Sequence, residues 1–186
     1  MSEYYSKEDR QLIKRCIAQD RHAQRLLYSR YAQAMYHTVI RMIPNQMDAE
    51  DVLQEAFLNV FKKLDAFHGD ASIGAWIKRI VINAALNFIR KNRISYLSLE
   101  DKWVEEVAEE QQDYSQVSTT QIHEAIKALP DGCRTVFSLY QLEGYRHREI
   151  AEILDITEST SKTQYRRAKN MLQQQLKKKL VKRLAE

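Results

Sequence analysis

The chain has 186 residues, of which 44% are hydrophobic and 29% charged, a balance typical of a folded protein rather than a disordered one. Only four glycines and two prolines occur, which disfavours sheets and hairpins and predicts helices with short connections. The amino terminus lacks a basic region followed by an apolar core, and no apolar run approaches the roughly 20 residues of a membrane span. We therefore expect a cytoplasmic protein with no direct membrane insertion.

Charge is unevenly distributed along the chain, whose formal net charge is +4. Every charged residue over 73–96 is basic, and from Lys162 onward Glu186 is the only acid. Between these basic segments the stretch 100–113 is strongly acidic. Two basic segments separated by an acidic one predict two anion-binding surfaces.

Helical periodicity dominates the first half of the chain. A helix is predicted over about 20–43, a second begins at Asp48, which we expect to cap it, and a third begins near Ser72. Gly69 is expected to end the second helix. Together these helices can close a small all-helical domain over residues 8–94.

The segment 95–117 loses this periodicity, is acidic and rich in glutamine, and is predicted to be a flexible linker. Helices resume at Ser118, break at 130–132, and continue with a short helix around 147–154 and then a long basic one. A second domain is therefore predicted over 118–186. The expected fold class is all-α, with two small helical domains joined by a flexible acidic linker.

The stretch 145–160 is typical of a helix-turn-helix in the second domain. Ala151 is small where two helices approach closely, and Asp155 tolerates the left-handed conformation that the turn needs. The following helix has one apolar face and one basic face, the form that enters a DNA major groove. The alternative is a solvated basic face of a helical bundle. The basic face carries Lys162, Thr163, Arg166, Arg167, Lys169 and Asn170.

A polar patch with one exposed leucine is predicted on the helix that begins at Asp48. Asp51, Gln54 and Leu58 cluster on one side, with Glu55 beside them. Such a patch suggests a protein partner that reads both charge and shape, while the alternative is an ordinary solvated face.

The helix over 73–93 combines basic and amide side chains with no acid, and it follows the polar loop 67–72. A basic helix beside a polar loop could hold single-stranded DNA with an unstacked base. Trp76 on this helix is more simply interpreted as a core residue.

No catalytic or metal-binding constellation is visible in the sequence. The five histidines show no ligand spacing, and there is no nucleophile elbow or phosphate-binding glycine loop. Cys16 and Cys133 are isolated, which argues against a zinc site or a disulfide framework. We therefore expect no enzyme activity, no metal and no cofactor.

Several of these segments together resemble the extracytoplasmic-function sigma factors of the sigma-70 family of RNA polymerase sigma factors. In the first half the similar segments are 48–57, 67–69, 76–80 and 83–85. In the second half they are Leu129-Pro130, Arg134, Val136-Phe137, Glu143-Gly144, Glu149-Ile150-Ala151 and Arg166-Arg167-Ala168-Lys169. The resemblance covers about residues 20–94 and 118–178.

This resemblance implies a transcription initiation factor that directs core RNA polymerase to promoters. The clamp coiled coil of the largest subunit would contact Asp51, Gln54, Glu55 and Leu58, and the flap region would be a further contact. The melted −10 element would be held by His68, Gly69, Asp70, Ser72, Lys78, Arg79, Asn83 and Arg90. The −35 duplex would be read by Ser159, Thr160, Lys162, Thr163, Arg166 and Arg167. An anti-sigma factor would be a possible regulator.

The chain departs from the family pattern at several positions. Arg146 stands where the family often has Ser, Asp155 where Gly is frequent, Ser161 where Val is common and Gln164 where Arg is common. The alternative function is a stand-alone helix-turn-helix regulator that binds operators as a dimer. That alternative accounts for the second domain but not for the polar patch or the basic helix of the first.

Overall fold

The computed structural model describes residues 6–92 and 118–184. Within these ranges every regular element is helical, which confirms the all-α prediction. The chain divides into two compact units, Met1–Asn92 and Arg93–Glu186. The predicted linker over 95–117 lies outside the described residues.

Within residues 6–92 the first unit contains four α-helices and a short 3-10 turn. The helices are α1 (Lys7–Ile17), α2 (Arg21–Met42), α3 (Gln46–Lys62) and α4 (Ile73–Lys91), and the 3-10 turn at Leu64–Ala66 follows α3. Asp20 caps α2, because its Oδ1 accepts hydrogen bonds from the backbone amides of His22 and Ala23 at 2.8 and 3.1 Å. Ser72 caps α4 in the same way. The predicted starts of α2 and α4 are therefore confirmed.

The predicted start of α3 was wrong. Asn45, not Asp48, is the capping residue, and its Oδ1 accepts a hydrogen bond from the backbone amide of Asp48 at 3.2 Å. Asp48 instead lies in the first turn, where a carboxylate favours the positive end of the helix dipole. Gly69 does not end α3 either, since the helix ends at Lys62.

The core of the first unit lies where α2, α3 and α4 pack together. Its fully buried side chains include Leu27, Val39, Val60, Ile77 and Leu86. Helix α1, which periodicity did not predict, covers one side of this core with Leu12, Ile13 and Cys16. An ion pair between Arg30 Nη1 and Asp9 Oδ1, 2.7 Å apart, joins α2 to α1.

The second unit contains α5 (Thr119–Lys127), α6 (Asp131–Phe137), a π-helical segment (Ser138–Leu142), α7 (His147–Leu154) and α8 (Glu158–Leu184). Helices α5, α6 and α8 share a core formed by Ala125, Ile126, Leu129, Cys133, Ala168 and Leu172. The guanidinium of Arg134 is buried beside it, where Nη1 donates to the carbonyl of Leu129 at 2.8 Å and Nη2 pairs with Asp131.

The helix-turn-helix is present as predicted. Asp155 ends α7 in the left-handed conformation, with φ 55° and ψ 49°. The amide of Ile156 donates to the carbonyl of Ala151 at 3.1 Å, and Thr157 Oγ1 accepts from the amide of Thr160 at 3.0 Å at the start of α8. The turn therefore closes α7 and opens α8 within three residues. Among the described residues, no helix is both long and apolar enough to cross a membrane.

Candidate functional site

The outer side of α3 presents a line of exposed side chains. Asp51, Gln54 and Leu58 lie on this line and are all exposed, Leu58 to 59%. Met47, one turn earlier, is 76% exposed and continues the same face at helical spacing. Met47 was not among the predicted residues, because the predicted helix began at Asp48. Two apolar side chains thus flank two polar ones, which suits a protein contact.

Glu55 lies at the border between this line and a groove that runs between α3 and α4. The groove has a volume of about 300 Å³. It combines three amides, two cations and an apolar part that includes Ile80 and Phe88. Glu55 and Asn83, predicted for two different partners, therefore line one groove. Its amides and cations are Asn59, Asn83, Asn87, Lys63 and Lys91.

The loop that precedes α4 presents His68 and Asp70 at the surface. Gly69 between them is buried and has a φ of 81°, a backbone conformation that residues other than glycine rarely adopt. The hydroxyl of Ser72 accepts a hydrogen bond from the amide of Ala75 at 3.2 Å. Ser72 therefore caps α4, a structural role in addition to the DNA contact that was predicted for it.

On α4, three of the four predicted DNA-binding residues share one exposed face. Arg79, Asn83 and Arg90 are exposed at helical spacing, while Lys78 is half-buried on the neighbouring side. Trp76 is half-buried against Phe67, with ring centroids 5.5 Å apart. Trp76 therefore packs against a neighbouring ring, but it is not one of the buried core residues that the sequence interpretation expected it to be.

The first turns of α8 place the six predicted duplex-reading residues on one broad side. Ser159, Lys162 and Arg166 are exposed, whereas Thr160, Thr163 and Arg167 are half-buried. The ammonium of Lys162 lies 2.6 Å from Glu158 Oε1, and this hydrogen bond lowers the pKa of Glu158. Lys162 is therefore held in place by an acid on its own helix.

Arg167 lies close enough to Cys133 for its charge to act on the buried thiol. Burial raises the pKa of Cys133, and the positive charge of Arg167 opposes that shift. The described residues contain no group of three potential metal ligands.

Two family models match the chain, and they match in the order in which the units occur. Sigma-70 region 2 matches residues 27–94, which include α3, the groove and α4. Sigma-70, region 4 matches residues 119–172, which include the helix-turn-helix. The chain belongs to the extracytoplasmic-function group of the sigma-70 family.

Curated relatives of this sigma factor cover nearly its whole length. The RNA polymerase sigma-H factor of Pseudomonas aeruginosa is 28% identical over 182 residues, which cover 91% of this chain and 94% of that protein. The ECF RNA polymerase sigma-E factor of Escherichia coli is 29% identical over 176 residues, covering 88% and 92%.

Two solved structures share the fold of this sigma factor. The structure of CnrH in complex with the cytosolic domain of CnrY covers 91% of this chain and 97% of that one, at 21% identity and a TM-score of 0.50. The structure of the sigma factor RpoE from Bartonella quintana, in complex with the anti-sigma factor NepR, covers 82% and 96%, at 23% identity and a TM-score of 0.52.

Family membership establishes the general function. The protein is a promoter-directing transcription initiation factor that works with RNA polymerase, and its family consists of non-enzymatic transcription factors. The stand-alone regulator is not favoured. A regulator of that kind does not account for the match to sigma-70 region 2, which includes the exposed line of side chains on α3 and the basic helix α4.

Proposed function

We propose that this sigma factor binds core RNA polymerase through α3 and reads the two promoter elements with separate domains. The domains are residues 8–94 and 118–186, joined by the linker 95–117. The observation that carries the proposal is that the segment matched to region 2 combines an exposed polar and apolar line with a separate amide-rich, basic groove. One domain can therefore bind a protein and a nucleic acid at the same time.

Core binding is assigned to Asp51, Gln54, Glu55 and Leu58. Leu58 exposes most of its side chain beside two polar groups, so a partner that covers it gains apolar burial, and Asp51 and Gln54 specify the partner. The partner surfaces proposed on core polymerase are the clamp coiled coil of the largest subunit and the flap region.

The −10 strand is assigned to the loop His68–Ser72 and to the exposed face of α4. Arg79 and Arg90 on that face can contact phosphates, and Asn83 can donate to and accept from a base edge. The groove lies beside this face and supplies further amides and two lysines. A melted strand could therefore follow α4 along its length, with Lys78 at the edge of the path.

The −35 duplex is assigned to the first turns of α8. The exposed residues Ser159, Lys162 and Arg166 follow one another at the spacing of a helix face that fits a major groove. Arginine and lysine there can reach guanine edges and phosphates, and Thr160, Thr163 and Arg167 border them.

Catalysis is assigned wholly to the polymerase, and the protein is proposed to act in the cytoplasm. Regulation by an anti-sigma factor is also proposed, because the RpoE relative was solved with the anti-sigma factor NepR. Such a partner would compete with core polymerase for exposed groups such as Leu58.

The test is run-off transcription with purified core polymerase, on the promoter upstream of the protein's own gene. We expect discrete transcripts that require both components. Gln54→Ala should reduce core binding and Arg166→Ala should reduce promoter use without affecting core binding. Matched controls are Gln11→Ala and Arg25→Ala, which truncate exposed residues of the same types on α1 and α2. A chain that does not bind core polymerase would refute the proposal and favour the stand-alone regulator.

A further inference from the structure

A partly buried polar contact joins the two helices of the helix-turn-helix. His147 is the first residue of α7, and its Nδ1 lies 2.9 Å from the hydroxyl oxygen of Ser161 on α8. Ser161 is completely buried, although its neighbours Thr160 and Lys162 belong to the proposed DNA-reading side. A hydroxyl without water needs a hydrogen-bonding partner, and His147 supplies it. The contact therefore reaches α8 within its first turn and a half.

Aromatic rings hold the imidazole of His147 in this position. Tyr140 stacks on it with ring centroids 4.1 Å apart and planes 12° apart, and Tyr165 approaches it edge-on at 5.7 Å. The hydroxyl of Tyr165 donates to Gln141 Oε1 at 2.7 Å. Tyr140 and Gln141 both belong to the π-helical segment Ser138–Leu142. Such segments are rare and often occur at functional positions.

The contact differs from ordinary apolar packing in being directional. Apolar side chains between two helices tolerate small rotations and slides, whereas a hydrogen bond weakens steeply when its distance or angle changes. The bond between His147 and Ser161 therefore limits the rotation of α8 about its own axis. That rotation decides which side chains of α8 point toward a DNA groove.

We propose that His147 is a positioning residue for promoter reading, which acts through Ser161 and Tyr140 to set the rotation of α8 against the −35 duplex. This inference rests on the proposed function, because it needs α8 to read the duplex. His147 itself does not contact DNA in this proposal. It determines where Ser159, Lys162 and Arg166 are presented.

The protonation state of the ring adds a readout. Burial, and then the positive charge of Lys162, lower the pKa of His147 below its usual value of 6.5, while Glu158 opposes the shift. The other titratable groups that pack against the ring are Tyr140 and Tyr165. The ring is therefore neutral at neutral pH. When the pH falls through the lowered pKa, a positive charge appears on the ring beside Lys162, and repulsion between the two cations should disturb the alignment of α8.

The experiment measures the affinity of the reconstituted holoenzyme for two promoters, one with its own −35 element and one with a scrambled −35 element. The first affinity divided by the second is the −35 ratio. His147→Phe keeps the stacked ring but removes the nitrogen, and Ser161→Ala removes the hydroxyl. His147→Asn keeps a polar atom near the position of Nδ1 and cannot be protonated in this range. Core binding and the thermal unfolding midpoint are measured on the same samples.

We expect His147→Phe and Ser161→Ala each to reduce the −35 ratio by about 5- to 10-fold, the loss typical of one buried hydrogen bond. The double variant should be no worse than either single one, because both remove the same contact. The −35 ratio of the unmodified protein should fall only as the pH is lowered below 6.5, and that of His147→Asn should stay nearly constant over the same titration.

Two results would overturn the inference alone. One is an unchanged −35 ratio in both His147→Phe and Ser161→Ala. The other is an equal loss of affinity for both promoters that follows the loss of thermal stability, as a purely structural role requires. If the unmodified holoenzyme shows no dependence on the −35 element, the proposed function fails first, and the inference fails with it.

Discussion

Truncation of Leu58 to alanine tests the assignment of the outer side of α3 to core polymerase. The side chain is 59% exposed in the free protein, and complete burial of a leucine stabilises by about 1.5–3 kcal/mol. Covering the exposed part should therefore contribute roughly 1–2 kcal/mol to binding. Leu58→Ala should remove most of this contribution and weaken core binding by about 5- to 20-fold.

The assay titrates fluorescently labelled core polymerase with each variant at constant salt. The change in fluorescence gives the affinity of each variant for core polymerase. Leu26→Ala is the matched control, because Leu26 is 43% exposed on α2 and is not assigned to any partner. Both substitutions should leave the free energy of unfolding nearly unchanged, since neither opens a cavity in the core. Core affinity within twofold of the unmodified protein, or equal weakening by both variants, would refute the assignment.

Two further predictions concern charge and helix capping. Glu158→Gln should release Lys162 and remove a negative charge beside the DNA, so holoenzyme affinity for promoter DNA should rise several-fold. The slope of log affinity against log salt concentration should steepen by about one unit. Glu152→Gln, which removes an exposed acid from α7, is the control, and an equal effect of both variants would argue against a specific release of Lys162. Asn45→Ala should lower the free energy of unfolding, measured by urea titration, by about 1 kcal/mol, because it removes the cap of α3. Asp48→Ala should lower it by less. A larger loss for Asp48→Ala would contradict the assigned cap.

Sequence reasoning predicted those features that depend on neighbouring residues. The helices predicted to begin near Asp20 and Ser72 do begin there, capped by these two residues, and Asp155 adopts the left-handed conformation expected of the turn. The start of α3 was misplaced because Asn45 and Asp48 are both good capping residues. Local preference cannot choose between them, whereas the path of the chain after Pro44 can.

Features that depend on contacts between distant segments could not be predicted. His147 and Ser161 are 14 residues apart, and their contact requires both helices in place. The π-helical segment Ser138–Leu142 follows α6 directly and stacks Tyr140 on His147, a contact that periodicity does not register. The groove between α3 and α4 likewise joins residues that the sequence analysis had assigned to separate partners.

The geometry of α3 also bears on how this protein can evolve. Six of its 17 residues are buried in the core, and much of the remaining surface is divided between the outer line and the groove. Most substitutions in this helix should therefore change either the stability of the domain or one of the two proposed contacts. Among diverging copies of the gene, we expect α3 to vary slowly and the outward positions of α1 and α2 to accumulate most neutral changes.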